Sequence, residues 1–258
     1  MKGNPTRILM WTVTALLVVA TAFLCLESRE VRRQRVCEGM RVTFTDKFNF
    51  ITEDDVKGWV ERDYGHYVGK NLDSLDLCRI EKIVDGEAAV LKSEVFTTAD
   101  GMLNVSVSQR EPVLKLMRDD YGFYVDERGY IFPLQKNYDS PVPVIYGHIP
   151  ISCTPGYKGK ITDPKEEMWM KQTLDMMNRM SSIKRWKGYV EKISVSEQGD
   201  MIIKPVEGKE TVIFGPPERY MKKLHLLGVY YDVIKPSKEE GYYGTVNVKY
   251  RDQIICRK

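Results

Sequence analysis

Apolar and polar positions are spread unevenly along the chain. From Ile8 to Leu26 nineteen residues pass without a charge. As a helix that run rises about 28 Å, close to the roughly 30 Å hydrocarbon thickness of a bilayer. It has no polar face, so it does not read as a buried globular helix. A cleaved signal peptide turns polar after a triplet such as Ala20-Thr21-Ala22, but Phe23 to Leu26 prolong the run. A lipoprotein signal needs a small residue before Cys25, and Leu24 stands there. The run is read as a retained anchor, with residues 1–7 before it and a linker at 27–35 after it.

Beyond the linker the periodicity changes several times. Met40, Val42 and Phe44 alternate with polar residues, a strand pattern. Thr52 and Asp55 then form a capping-box spacing, followed by Val56, Trp59, Val60 and Tyr64 at helical intervals and a stop at Gly65. A second short helix spans Cys78 to Val84, with Ile80, Ile83 and Val84 on one face and Gly86 ending it. Val90 to Thr97 and Met102 to Ser108 are strands joined at Asp100-Gly101, a hairpin signal. The order is strand, helix, helix, strand, strand, and Pro112 is taken to close the unit.

The remainder is richer in short strands. Phe123 to Val125 and Tyr130 to Phe132 make a hairpin through Asp126 to Gly129, and Val142 to Tyr146 is a further strand ended by Gly147. A loop fills Pro150 to Asp163. A helix from Pro164 to Ile183 places Trp169, Thr173, Met176, Met177, Met180 and Ile183 on one face, read as packing on a sheet rather than as an adaptable binding groove. Tyr189 to Val195 and Met201 to Pro205 form a second hairpin, and Thr211 to Phe214 a strand before Gly215-Pro216-Pro217. The helix after it turns Tyr220, Leu224 and Leu227 inward and Lys222 and Lys223 outward. The final strand, Thr245 to Cys256, alternates with Val246, Val248 and Tyr250 on one face, then Ile254 and Cys256. A terminal strand tends to lie at a sheet edge, where it can accept a partner strand.

Charge and chemistry narrow the function less than the pattern does. A net charge of +3, with bases interleaved among acids, argues against a nucleic-acid surface. Arg29, Arg32, Arg33 and Arg35 outnumber Lys2 and Arg7 across the anchor, partly offset by Glu27 and Glu30. Long domains translocate despite such charges, so orientation stays open on this ground. The five cysteines are Cys25, Cys37, Cys78, Cys153 and Cys256; none are at metal-ligand spacing, and whether Cys37 pairs with Cys78 is not decided by spacing. His66, His148 and His225 stand alone. Gly156-Tyr157-Lys158-Gly159-Lys160 lacks P-loop spacing, Glu53 to Asp55 suit a helix start, and the Asn104-Val105-Ser106 sequon falls inside a strand. No catalytic motif is found, no cofactor or metal is expected, and the balance moves from enzyme to binding module.

One family likeness then emerges. FITEDDVKGWV (50–60), NLDSLDLCRIEKIV (71–84), the strands ending in VSQREPV, YGFYVDERGYIFPL (121–134) and PVPVIYG (141–147) follow in order. Together with the closing NVKYRDQIICRK they resemble FtsQ/DivIB cell-division proteins. Gln109 stands where the family has glutamate and Lys249 where arginine is common, and Gly156 to Gly188 has no clear counterpart. The resemblance implies an α+β chain: an anchor at 8–26, a POTRA domain at 36–111 and a larger β domain at 112–258. It also implies a single-pass protein of the bacterial inner membrane at the septum, amino end in the cytoplasm and bulk outside it. The implied function is a non-enzymatic divisome scaffold linking early and late division proteins. Its implied partners are FtsB and FtsL, small single-span coiled-coil proteins, with other division proteins reached through the POTRA domain. By the same likeness the partner site falls on Thr245, Val246, Val248, Tyr250, Arg251, Gln253 and Ile254, supported by Lys223 and Leu224. A POTRA-containing translocation component and a membrane-tethered cell-wall enzyme, using His148 or Asp126, are the rival readings.

Overall fold

The computed structural model describes residues 11, 13–23, 35–135 and 138–258. Residues 13–23, inside the apolar run, are helical. Their hydroxyls turn back onto the helix, Thr14 donating to the Trp11 carbonyl at 3.0 Å and Thr21 to those of Leu17 and Val18 at 2.9 Å. Residues 8–10, 12 and 24–26 of the expected span, the linker to residue 34, and Cys25 lie outside the described residues. Among those described, no helix is long and apolar enough to cross a membrane.

The remaining chain forms two compact units, one reaching to Lys47 and resuming over Ile51–Gln109, the other taking Phe48–Phe50 and Arg110–Lys258. The first contains β1 (Gly39–Phe44), α1 (Glu53–Asp63), α2 (Leu77–Asp85), β2 (Val90–Thr97) and β3 (Met102–Gln109). The strand, helix, helix, strand, strand order read from periodicity is the one observed. Thr52 and Asp55 exchange both capping-box bonds at the head of α1, and three acids occupy its first turn. Val56 and Val60 from α1 and Ile80 and Val84 from α2 are fully buried, as the 3.6-residue spacing requires. Gly101, at φ +82°, lets β2 turn into β3. β3 is the centre of a sheet ordered β1-β3-β2, parallel to β1 and antiparallel to β2. Cys37 and Cys78 are both free thiols, the first buried and the second exposed.

The second unit is built on one sheet. Its elements are β4 (Pro112–Arg118), β5 (Tyr121–Asp126), β6 (Tyr130–Pro133), β7 (Val144–Gly147), β8 (Gly159–Lys160), α3 (Pro164–Ser182), β9 (Val190–Val195), β10 (Met201–Pro205), β11 (Thr211–Gly215), α4 (Tyr220–Val229), β12 (Thr245–Asn247) and β13 (Ile255–Arg257). Ten strands lie in the order β13-β12-β11-β10-β9-β7-β4-β5-β6-β8. Pro112, expected only to close the preceding unit, instead opens a strand near the middle of this sheet. Proline is tolerated at a first strand position, where its missing N–H costs no ladder bond. The expected loop after Pro150 contains the two-residue strand β8, which pairs with Tyr130 and Ile131 of β6.

Both long helices cover one face of the sheet. Met170, Leu174, Met176, Met177 and Met180 of α3 are buried, so four of its five methionines are core, as expected, while Met168 is exposed. They share one apolar cluster with Ile145, Ile193, Ile203, Val212 and Phe214 from the sheet and Leu224 and Leu227 from α4. Asp126 is held inside its hairpin: it accepts N–H bonds from Arg128 and Tyr130 at 2.9 Å and pairs with Arg110 at 2.9 Å. That arrangement accounts for a buried carboxylate by turn chemistry.

Candidate functional site: the carboxyl-terminal sheet edge

The chain's last segment is not one strand but two. Val246 and Val248 are fully buried, and β12 runs parallel to β11 with Thr211 opposite Thr245. The backbone then turns through Tyr250, Arg251 and Asp252, the last at φ +55°, and returns as β13, antiparallel to β12. The expected single strand over Thr245 to Cys256 is thereby corrected. Its alternation was real, but Arg251-Asp252-Gln253 is a polar triplet, and aspartate is among the few residues that adopt the left-handed conformation.

Two lysines meet the end of β11 beside the hairpin. Gly215, at φ +76°, leaves room for Lys249; a Cβ there would approach the Lys249 Cγ to 2.8 Å. Lys249 crosses that gap to pair with Asp200 at 2.7 Å, and its backbone N–H donates to Asn247. Lys223, on α4, meets the end of the same strand. It was expected outward, yet it is 3 % exposed, its ammonium donating to the Pro216 carbonyl and lying 5.3 Å from the Phe214 ring. Burial pushes its pKa down to about 8. The four-carbon stem explains the error: a lysine at a core-facing position can bury its methylenes if its head finds a carbonyl.

The structure therefore separates the expected partner residues. Tyr250, Arg251 and Gln253 are exposed on the turn between the two strands, and Thr245 and Ile254 are half-buried. Val246, Val248, Lys223 and Leu224 are interior and shape the edge without being presented on it. The edge itself is Ile255–Arg257, which pairs with β12 on one side and, among the described residues, with no strand on the other. Sequence reasoning passed over Ile255 and Arg257 because it placed the edge one strand too early. Cys256 between them is half-buried, and burial raises its thiol pKa.

At the opposite end of the same strands lies a polar node that no sequence motif announces. Tyr189 and Tyr231 share a hydroxyl–hydroxyl bond of 2.8 Å, and Lys235 donates to the buried Glu210 carboxylate at 2.9 Å. Burial alone would raise the Glu210 pKa, but Lys235, its own N–H and Tyr231 hold it below its ordinary value. The node ties the residues just before β9 and β11 to a π-turn after α4 and the lysine that follows it. His66, His148 and His225 are exposed, and among the described residues no group of three or more His, Cys, Asp or Glu is placed to hold a metal ion.

Against known families, a POTRA-like domain model matches residues 35–108. A second model, FtsQ/DivIB, C-terminal related, matches residues 111–257, more than half of the chain. The chain belongs to the FtsQ/DivIB family. No curated protein matches it. FtsQ/DivIB and POTRA-like domains are non-catalytic families, which agrees with the want of a catalytic motif, and membership points to a role in cell division. The match runs through Gly156 to Gly188, the stretch that sequence reading left without a counterpart, and α3 in that stretch supplies much of the core.

Proposed function

We propose that this FtsQ/DivIB-family chain is a membrane-anchored divisome scaffold that binds small single-span partners resembling FtsB and FtsL by strand addition to β13. The observation that carries the proposal is the one-sided pairing of β13 at the end of a ten-stranded sheet. An unpaired strand edge offers its backbone N–H and C=O groups to an extended segment of another chain. Tyr250, Arg251 and Gln253 on the adjoining turn lend specificity at its rim. The charge-free run at 8–26, with threonine hydroxyls bonded to the helix backbone, suits an anchor in hydrocarbon. On this reading the amino end is cytoplasmic and both units lie outside the cytoplasm, at the septum.

The test is a pull-down from detergent-solubilised membranes, comparing the full chain with one lacking Ile255–Lys258. This short deletion spares the buried Val246 and Val248, whose loss would open the core. Capture of small coiled-coil division proteins by the full chain alone is the expected result. Equal capture by both chains would remove β13 as the binding edge, and no division protein in either would sink the scaffold reading.

A further inference from the structure

The face of the second unit's sheet opposite α3 and α4 carries two parallel rows of side chains, and their register can be followed strand by strand. Ile193, Ile203, Val212 and Val246 point into the core, so their neighbours along each strand point out. In one row, Lys192 of β9 lies directly opposite Lys204 of β10. Ile203 opposite Val212 puts Lys204 beside Thr211; Thr211 meets Thr245, and Thr245 meets Arg257 on β13. In the next row, two residues along each strand, Tyr146 lies beside Ser194, Ser194 beside Ile202, and Ile202 beside Ile213. Tyr146 is 39 % exposed, while Ile202 and Ile213 are half-buried.

Two like charges placed directly opposite on a sheet repel, and opposite charges are the favourable choice there. Of the acids near this row, Glu191 reaches only Lys204, at 3.0 Å, and Asp139 pairs with Lys115 further along the face, at 2.8 Å. Lys192 is half-buried and Arg257 exposed, and neither forms an ion pair among the described residues. The first row crosses four interstrand gaps and the second three; together they reach from β7 to β13, about 24 Å, the rise of roughly 16 helical residues. Their separation, about 7 Å, lies within the roughly 10 Å width of one helix.

We infer that this open face, with the row Lys192–Lys204–Arg257 beside the row Tyr146–Ile202–Ile213, is a docking surface for an amphipathic helix of another protein, one carrying an acidic stripe next to an apolar one. The helix lies across the strands, its acids between the two lysines and along to Arg257. The inference rests on the reading of this chain as a protein-binding scaffold but not on strand addition at β13.

The test uses the full chain in zwitterionic lipid nanodiscs and a labelled 16-residue helical peptide with adjacent leucine and glutamate stripes. A second peptide has lysine in place of glutamate. The glutamate peptide is expected to bind the wild type. The double variant Lys192→Glu/Lys204→Glu lowers that affinity at least tenfold and gains affinity for the lysine peptide. The single variant Lys192→Glu raises Tm, because the opposed charges now attract, while weakening the glutamate peptide; a merely structural row would show the first effect without the second. Equal binding of the two peptides by the wild type, or unchanged binding of the glutamate peptide by the double variant, overturns the inference. The double variant retains the capture that depends on Ile255–Lys258, so the two proposals fail separately.

Discussion

Lys223 holds an ammonium where the surrounding packing would suit a methyl group. With its folded pKa near 8 against an ordinary 10.5, the unfolded chain binds more protons between those values. Stability contributed by this group therefore rises as pH climbs from about 8 toward 10.5 and is flat below 8. Burial raises Tyr124 and Tyr230 to about 12, so they act in the other direction above pH 10. Replacing Lys223 with Met removes the titration together with the ammonium's bond to the Pro216 carbonyl. The expected outcome is a Tm at pH 7 equal to or above that of the wild type, with the rise between pH 8 and 10 abolished. Thermal melts of the full chain in detergent across that range decide it; a variant that melts lower yet keeps the rise would show that the ammonium is not the titrating group.

Secondary-structure elements here are set by two kinds of information. α1 is local: Thr52, Asp55 and the acids of its first turn specify where it starts, and Val56 and Val60 specify which face it buries. Thr52→Ala should cost about 1 kcal/mol, since it orphans an N–H of the first turn. Hydrogen exchange of the α1 amides in the full chain is the measurement, with faster exchange confined to that unit as the expected pattern. Unchanged protection would mean that the cap contributes nothing. β12 and β13 are non-local by contrast, because β12 owes its place to a parallel partner, β11, that precedes it by a whole helix. A parallel pair needs a long crossover, and no turn signature in the sequence reports which strand it will meet.

At the scale of the whole molecule the reading joins a tether to a binding edge. The anchor predicts that the full chain sediments with membranes, resists high salt and alkaline wash, and is released by detergent. Removal of residues 1–26 should leave it in the supernatant. A reporter that is active only outside the cytoplasm, fused after Lys258, tests the orientation that arginine counting left open. Release of the intact chain by salt alone would contradict the anchor, and a silent reporter on a stable fusion would reverse the orientation.

Short-range rules in the sequence determined a good deal of this protein: the strand and helix order of the first unit, the capping box, the β2–β3 and β9–β10 hairpins, and the core face of α3. Each of these depends on neighbours within about four residues, or on a glycine in a turn. The ordered motifs likewise sufficed for the family. Tertiary structure alone decided that Pro112 begins a central strand, that Lys223 is interior, and that the last strand folds into a hairpin with Ile255–Arg257 outermost. It also decided the juxtaposition of Lys192 with Lys204. The physical reason is common to all four. Periodicity tells which face of an element is apolar, but burial of a long polar side chain and the register of distant strands depend on which partner the fold supplies.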